Sequence, residues 1–175
     1  YLPLSVQAPR LADGVTYYFR AIATNKGGTT MGSTDTFSLG PFGRWQFLKF
    51  GTDAGNLLIA GPEANPAGDG TCNLLKYAFG MDPHANSRIG LPEFELEEGA
   101  MSVTYNQPIE ASDVYYLLEF SNDLIDWFSL LDFYGSADYE VLSNDGINRR
   151  IRESLTWFPA DEPPPLFFRL RVGLP

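Results

Sequence analysis

Alternating apolar and polar side chains mark both ends of this chain. Near the start, Val15-Thr16-Tyr17-Tyr18-Phe19-Arg20-Ala21-Ile22-Ala23 reads as a long strand. The alternating Leu2-Pro3-Leu4-Ser5-Val6 and the turn Leu11-Ala12-Asp13-Gly14 precede it, and Asn25-Lys26-Gly27-Gly28 turns into a strand from Thr29 to Phe37. Period two returns after residue 92. Phe94 and Leu96 alternate with Glu95 and Glu97, Glu98-Gly99 turns, and Met101, Val103 and Tyr105 come back as a hairpin with one apolar face. Val114, Tyr116, Leu118 and Phe120 extend the pattern, then Tyr139 to Leu142, the turn Asn144-Asp145-Gly146, a strand from Ile147, and Phe168, Leu170 and Val172. Pro163-Pro164-Pro165 enforces an extended approach to this last strand.

The middle differs. Gly40-Pro41-Phe42-Gly43 breaks the strand pattern, and Arg44 to Phe50 reads as about two helical turns whose Trp45, Leu48 and Phe50 anchor one part of the molecule on the next. Asn65 to Lys76 lies on a calcium-loop template in which positions 1, 3, 5, 9 and 12 carry oxygen ligands and position 6 is glycine. Asn65, Asp69, Gly70 and Asn73 fit positions 1, 5, 6 and 9, and Thr71 can offer a carbonyl at position 7. Ala67 and Lys76 depart from the template, the second by placing an ammonium where a glutamate would close the shell. Calcium is the metal such a loop would take. With one carboxylate, the loop is expected to hold its shape without it, Lys76 lying near Asp69 in place of the ion. A helix follows, capped by Asp69 or Thr71, with Leu74, Leu75, Ala78 and Phe79 on one buried face and Gly80 ending it before Pro83.

These elements predict a mainly β chain of two antiparallel, sandwich-like modules joined by a loop–helix segment: residues 1–39, a connector over 40–91, and a sandwich over 92–175. In this expectation Leu74, Leu75, Lys76, Phe79 and Gly80 form a structural hinge.

Composition agrees with the class: 44% hydrophobic and 14% aromatic residues, 17 glycines and 13 prolines suit short strands between turns, and mean hydropathy is −0.15. A net charge of −10 repels nucleic-acid phosphate, and the densest basic run, Arg149-Arg150-Ile151-Arg152, reads as the exposed face of a strand. No apolar run approaches the ~20 residues of a membrane-spanning helix. The single cysteine, Cys72, excludes an internal disulfide, and the single histidine, His84, excludes a His-rich metal site. With neither methionine nor signal peptide at the start, Tyr1 reads as a processed or truncated end.

Catalytic devices find little support. His84 follows a proline in an exposed connector, and no nucleophile-elbow pattern surrounds any serine. Glu95 with Glu97 and Asp161 with Glu162 are neighbours of the kind that twenty-two acids guarantee. Ser121-Asn122-Asp123-Leu124-Ile125-Asp126-Trp127 reads as an Asx-type turn with Trp127 buried. Tyr115, Trp157 and Phe158 form a possible aromatic surface for stacking on sugar rings, a glycan-binding alternative.

Two resemblances enter here. Leu11 to Asn25 with Gly27, Gly28, Thr29 and Gly32 resembles the last three strands of a fibronectin type III domain. Such a sandwich has about seven strands. Completing it requires lost strands, another part of this chain, or strand addition from a neighbouring copy. The run from Asn65 to Pro83 resembles a motif near the C-termini of large secreted multidomain bacterial proteins, distantly related to dockerin and thrombospondin type 3 loops. The strand from Val114 to Trp127 and the closing Phe167 to Val172 also look like that region. The resemblance implies an extracellular or cell-surface setting and no catalytic residue. The function expected from it is structural: a non-catalytic assembly unit, such as a filament or surface-layer subunit that self-associates by strand complementation or sits beside further domains of a longer chain. The alternative is an ancillary carbohydrate-binding or adhesion module.

Overall fold

The structure is a computed structural model and describes residues 15–97, 100–130, 132, 138–156 and 167–175. The turns Leu11 to Gly14 and Glu98-Gly99, the segment Leu2 to Val6, the acids Asp161 and Glu162, and Pro163 to Pro165 lie outside them. The described chain is mainly β, with antiparallel sheets and two α-helices.

A two-stranded ribbon comes first. β1 (Thr16–Phe19) pairs with β4 (Asp35–Ser38), and β2 (Ile22–Asn25) with β3 (Gly28–Met31). The register runs Phe19↔Asp35 and then Ile22↔Met31, so the returning strand carries one extra residue, a bulge pinned where Gly32 N–H donates to Ala21 O at 2.9 Å. Asn25 forms the turn by accepting Gly27 N–H on Oδ1 at 2.8 Å. Tyr17 stacks on Phe37 across the strands, and Phe19 meets Phe37 edge-on. Period two thus gives the ribbon an aromatic face, on which Phe19 is 53% exposed and Phe37 37%.

α1 (Pro41–Phe50) begins three residues before the predicted segment. Pro41 occupies its first turn, where its missing N–H is no loss. The freed N–H of Phe42 donates to Asp113 Oδ2 at 2.9 Å, 71 residues away. Phe42 and Phe50 are buried and Trp45 is half-buried, whereas Leu48, an expected anchor, faces solvent. After a 3-10 turn (Gly51–Asp53), a series of turns leads to α2 (Asn73–Ala78).

The remaining strands form two sheets facing each other. One has the order β5 (Glu93–Glu97), β6 (Ala100–Pro108), β10 (Asn148–Thr156), β9 (Asp138–Asn144). The other runs β11 (Phe167–Gly173), β7 (Tyr115–Ser121), β8 (Phe128–Ser129). Met101, Val103 and Tyr105 of β6 and Ile151 and Leu155 of β10 meet Leu118 and Phe120 of β7 in one buried cluster. Tyr105 donates its hydroxyl to Glu153; burial first, then this carboxylate, pushes its pKa well up. Across the facing sheet, buried Glu119 pairs with Arg169 at 2.6 Å and Arg171 at 3.5 Å. Arg149, Arg150 and Arg152 are half-buried around buried Ile151, not a freely exposed face.

Two other expectations shift. Phe94 and Leu96 lie opposite core residues Val103 and Met101, yet they are 42% and 68% exposed, because β5 is an edge strand at the margin of the core. Trp127 is half-buried, lying under the Arg169 guanidinium at 3.9 Å to the ring centroid. Its turn is built as expected for an Asx motif: Asp123 Oδ1 accepts Ile125 N–H at 2.8 Å and Asp126 N–H at 2.9 Å, while Leu124 takes the left-handed conformation at φ 65°. These backbone bonds hold the Asp123 carboxyl below its ordinary pKa.

Candidate functional site: the loop and helix over residues 59–85

α2 is a helix of six residues and needs outside support. Neither Asp69 nor Thr71 caps it. Cys72 occupies the N-cap without a side-chain bond, because Asp69 Oδ1 is already engaged by Thr71 N–H at 2.9 Å. The C-terminus is closed more completely. Met81 N–H reaches Lys76 O at 2.7 Å and Gly80 N–H reaches Tyr77 O at 3.3 Å, a Schellman closure with Gly80 at φ 70°. Only glycine adopts that conformation without strain, and a Cβ there would also meet Pro108 Cγ at 3.1 Å.

The buried face of the helix is wider than Leu74, Leu75, Ala78 and Phe79. Leu74 and Leu75 are half-buried, Ala78 and Phe79 buried, and Asn73, Lys76 and Tyr77 are buried with them. Each buried polar group has a task. Asn73 Nδ2 donates to Ile59 O at 2.9 Å and Gly61 O at 3.0 Å, tying the preceding turns to the helix. Tyr77 Oη donates to Asp113 Oδ1 at 2.6 Å, and Asp113 Oδ2 holds the start of α1. Tyr116 donates its hydroxyl to Ala78 O at 2.7 Å, which fastens α2 to the smaller sheet.

Lys76 is fully buried. Its Nζ lies 2.7 Å from Asp69 Oδ2 and donates to Ala85 O at 2.7 Å. Asp69 Oδ2 also accepts Ser87 N–H at 3.1 Å. Hydrogen bonding to Lys76, followed by the Thr71 backbone bond, holds the Asp69 pKa down to about 2. Asn65 Oδ1 is engaged too, accepting Gly68 N–H at 3.0 Å.

This donor set does not fit calcium. Asp69 has both oxygens engaged, an ammonium stands beside its carboxylate, and Asn73 Oδ1, buried without a donor, is a single neutral oxygen. Among the described residues no cluster of three His, Cys, Asp or Glu side chains surrounds a cation-sized space. The lysine charge balances the loop from within.

The predicted hinge residues are therefore brought together, but on one side only. Ala78, Phe79 and Met81 belong to the sandwich core, and Tyr77 joins Phe42 and Ala111 in a second buried cluster; no residue of the ribbon belongs to either. His84 is exposed and structural: its ring packs edge-on against Phe50 at 5.0 Å, and Nε2 lies 2.8 Å from Lys49 O. Phe42, Tyr77 and Asp113 are the site residues that sequence reasoning missed. Pro41 ahead of Phe42, read in the sequence as a break, is the one local signal for the helix start; nothing local signals a carboxylate arriving from the β6–β7 connection.

Beside this body lies a cleft of about 560 Å³, with Tyr77 in its wall, Trp45, Leu48 and Ile147 along its sides, and Arg44 and Glu110 bringing both signs of charge. Tyr115, of the predicted aromatic surface, is 43% exposed on β7; Trp157 and Phe158 lie outside the described residues. No described helix is long and apolar enough to cross a membrane. Comparison with family models, curated proteins and solved structures returns no match.

Proposed function

We propose that this chain is a non-catalytic structural unit of an extracellular or cell-surface assembly, in which an open sheet edge on one subunit is filled by a strand from another. One observation carries the reading. The ribbon displays Tyr18, Phe19, Ile22, Met31 and Phe37 to solvent, and among the described residues the buried clusters are built without it. A two-stranded ribbon is marginal alone and acquires stability by extending its sheet. The extracellular setting draws on the resemblance of residues 11–32 to fibronectin type III strands and of Asn65 to Pro83 to the C-terminal regions of secreted bacterial proteins. Light scattering over a concentration series, with electron microscopy of the largest species, tests the assembly: mass should rise with concentration and particles should be elongated. A monodisperse monomer at high concentration overturns it.

The cleft favours a second reading, an ancillary carbohydrate-binding module, because half-buried Trp45 offers aromatic surface beside Asn148 and Ser112. A glycan array decides it: selective retention of one sugar class, lost in Asn148→Ala, would support binding, and uniform non-retention would remove it.

A further inference from the structure

The larger sheet ends in two unlike edges. β9 is interrupted: its pairing with β10 shifts register between Arg150 and Ile151, and such a bulge twists an edge away from regular strand addition. β5 is regular. Its five residues pair with β6 without a shift, and all five are exposed. Among the described residues, β5 makes no hydrogen bond or ion pair beyond that ladder except the one between Glu93 and Arg150, at 2.7 Å.

The strand carries two chemistries on its two faces. Glu93, Glu95 and Glu97 lie opposite Thr104, Ser102 and Ala100, on the side away from the core. Among the described residues Glu95 and Glu97 have no ion pair. Beside them is a shallow hollow of about 320 Å³, floored by Ala100, Ser102 and Ser154 and closed at its far end by Arg152, with room for the stem of a long side chain. On the core side, Phe94 and Leu96 continue the apolar layer of Val103 and Met101 past its cover.

Such an edge suits an extended segment that alternates apolar residues with lysine or arginine. The incoming backbone completes the ladder, its apolar side chains cover Phe94 and Leu96, and its cations meet Glu95 and Glu97. This chain does not supply that segment. A second β5 would set glutamates against glutamates. Two runs of the sequence alternate basic with apolar residues: Arg150-Ile151-Arg152 lies inside the sheet, where β10 is flanked by β6 and β9, and Arg169-Leu170-Arg171-Val172 has both arginines engaged by Glu119. We propose that β5 is a docking edge for an extended basic–apolar segment of a different polypeptide, bound by strand addition. The partner is not a copy of this chain, so the inference goes beyond the assembly of like subunits.

Two-dimensional NMR on the full chain, titrated with a capped synthetic peptide that alternates lysine with valine and is long enough to span β5, tests this. The amides of Glu93 to Glu97 should shift and gain exchange protection. Affinity should fall about tenfold or more in Glu95→Lys with Glu97→Lys, whose exposed side chains leave the circular dichroism spectrum unchanged. A peptide of equal charge with proline at its centre should bind at least about tenfold more weakly, since it cannot complete the ladder. Equal binding of the proline peptide would reduce the contact to diffuse electrostatics and overturn strand addition. Shifts confined to other strands, or no shifts, would overturn β5 as the edge. Concentration-dependent shifts of the same amides without peptide would put a second copy on β5 and overturn the different partner. Light scattering without peptide reads the assembly of like subunits independently, so either reading can fail alone.

Discussion

Phe37 and Phe79 are the same side chain in two different circumstances. Phe37 sits on a ribbon with aromatic neighbours in good cross-strand geometry and is still 37% exposed; Phe79 ends a six-residue helix and is 2% exposed. Local structure is better satisfied at Phe37, and burial is better at Phe79. The difference lies in what faces each ring. Phe79 is met by Tyr105 and Tyr116 from two sheets, whereas among the described residues the ribbon has a second strand and no second layer. A period of two makes a face; only another layer makes a core.

Substitutions can widen or close that contrast. Phe79→Ala should cost ~3–5 kcal/mol in chemical denaturation, because a cavity opens where helix and both sheets meet. A midpoint equal to that of the unsubstituted chain would mean the ring is not in the cooperative core. Next in size is Lys76→Met, which leaves the Asp69 carboxylate buried beside no cation. Its acid limb carries the test. Because the folded Asp69 pKa lies at about 2 against an ordinary 3.8, the folded state favours the ionised form, and this stability is present above pH 3.8 and fades as pH falls towards 2. Lys76→Met should flatten that part of the pH profile relative to the unsubstituted chain, and an unchanged slope would remove the ion pair from the account. Gly80→Ala comes third, at about 1–2 kcal/mol, since it forces a Cβ into the left-handed region. Smallest is Phe37→Ala, expected to move the main thermal transition of dilute protein by less than about 0.5 kcal/mol. A loss comparable to that of Phe79→Ala would show that the ribbon shares the sandwich core.

What was legible follows the same division. Alternation located β5, β6, β7, β9, β10 and β11 and their inward residues Met101, Val103, Tyr105, Leu118 and Phe120, because period two is a property of neighbouring residues. Gly80 before Pro83 marked the end of α2, and the template position of Lys76 predicted its meeting with Asp69. The exposure of Phe94, Leu96 and Leu48 was not legible, since the pattern states which side a residue faces and not whether another layer arrives there. Nor was the allegiance of α2. Its short apolar face suits a joint between modules as well as a cover on one, and the choice is made by Tyr116, Tyr77 and Asp113, whose partners lie 36 to 38 residues away.

Asp113 has a consequence in time as well as in space. Its carboxylate receives the Phe42 amide on one oxygen and the Tyr77 hydroxyl on the other, spanning 71 and 36 residues of chain. The first turn of α1 therefore lacks its latch until the β6–β7 connection has formed, and long loop closures come late. In pulse-labelling hydrogen exchange, the Phe42 amide should gain protection after the amides of β6 and β10, making one backbone proton near the start of the chain a clock for the completion of a sandwich built from its other end.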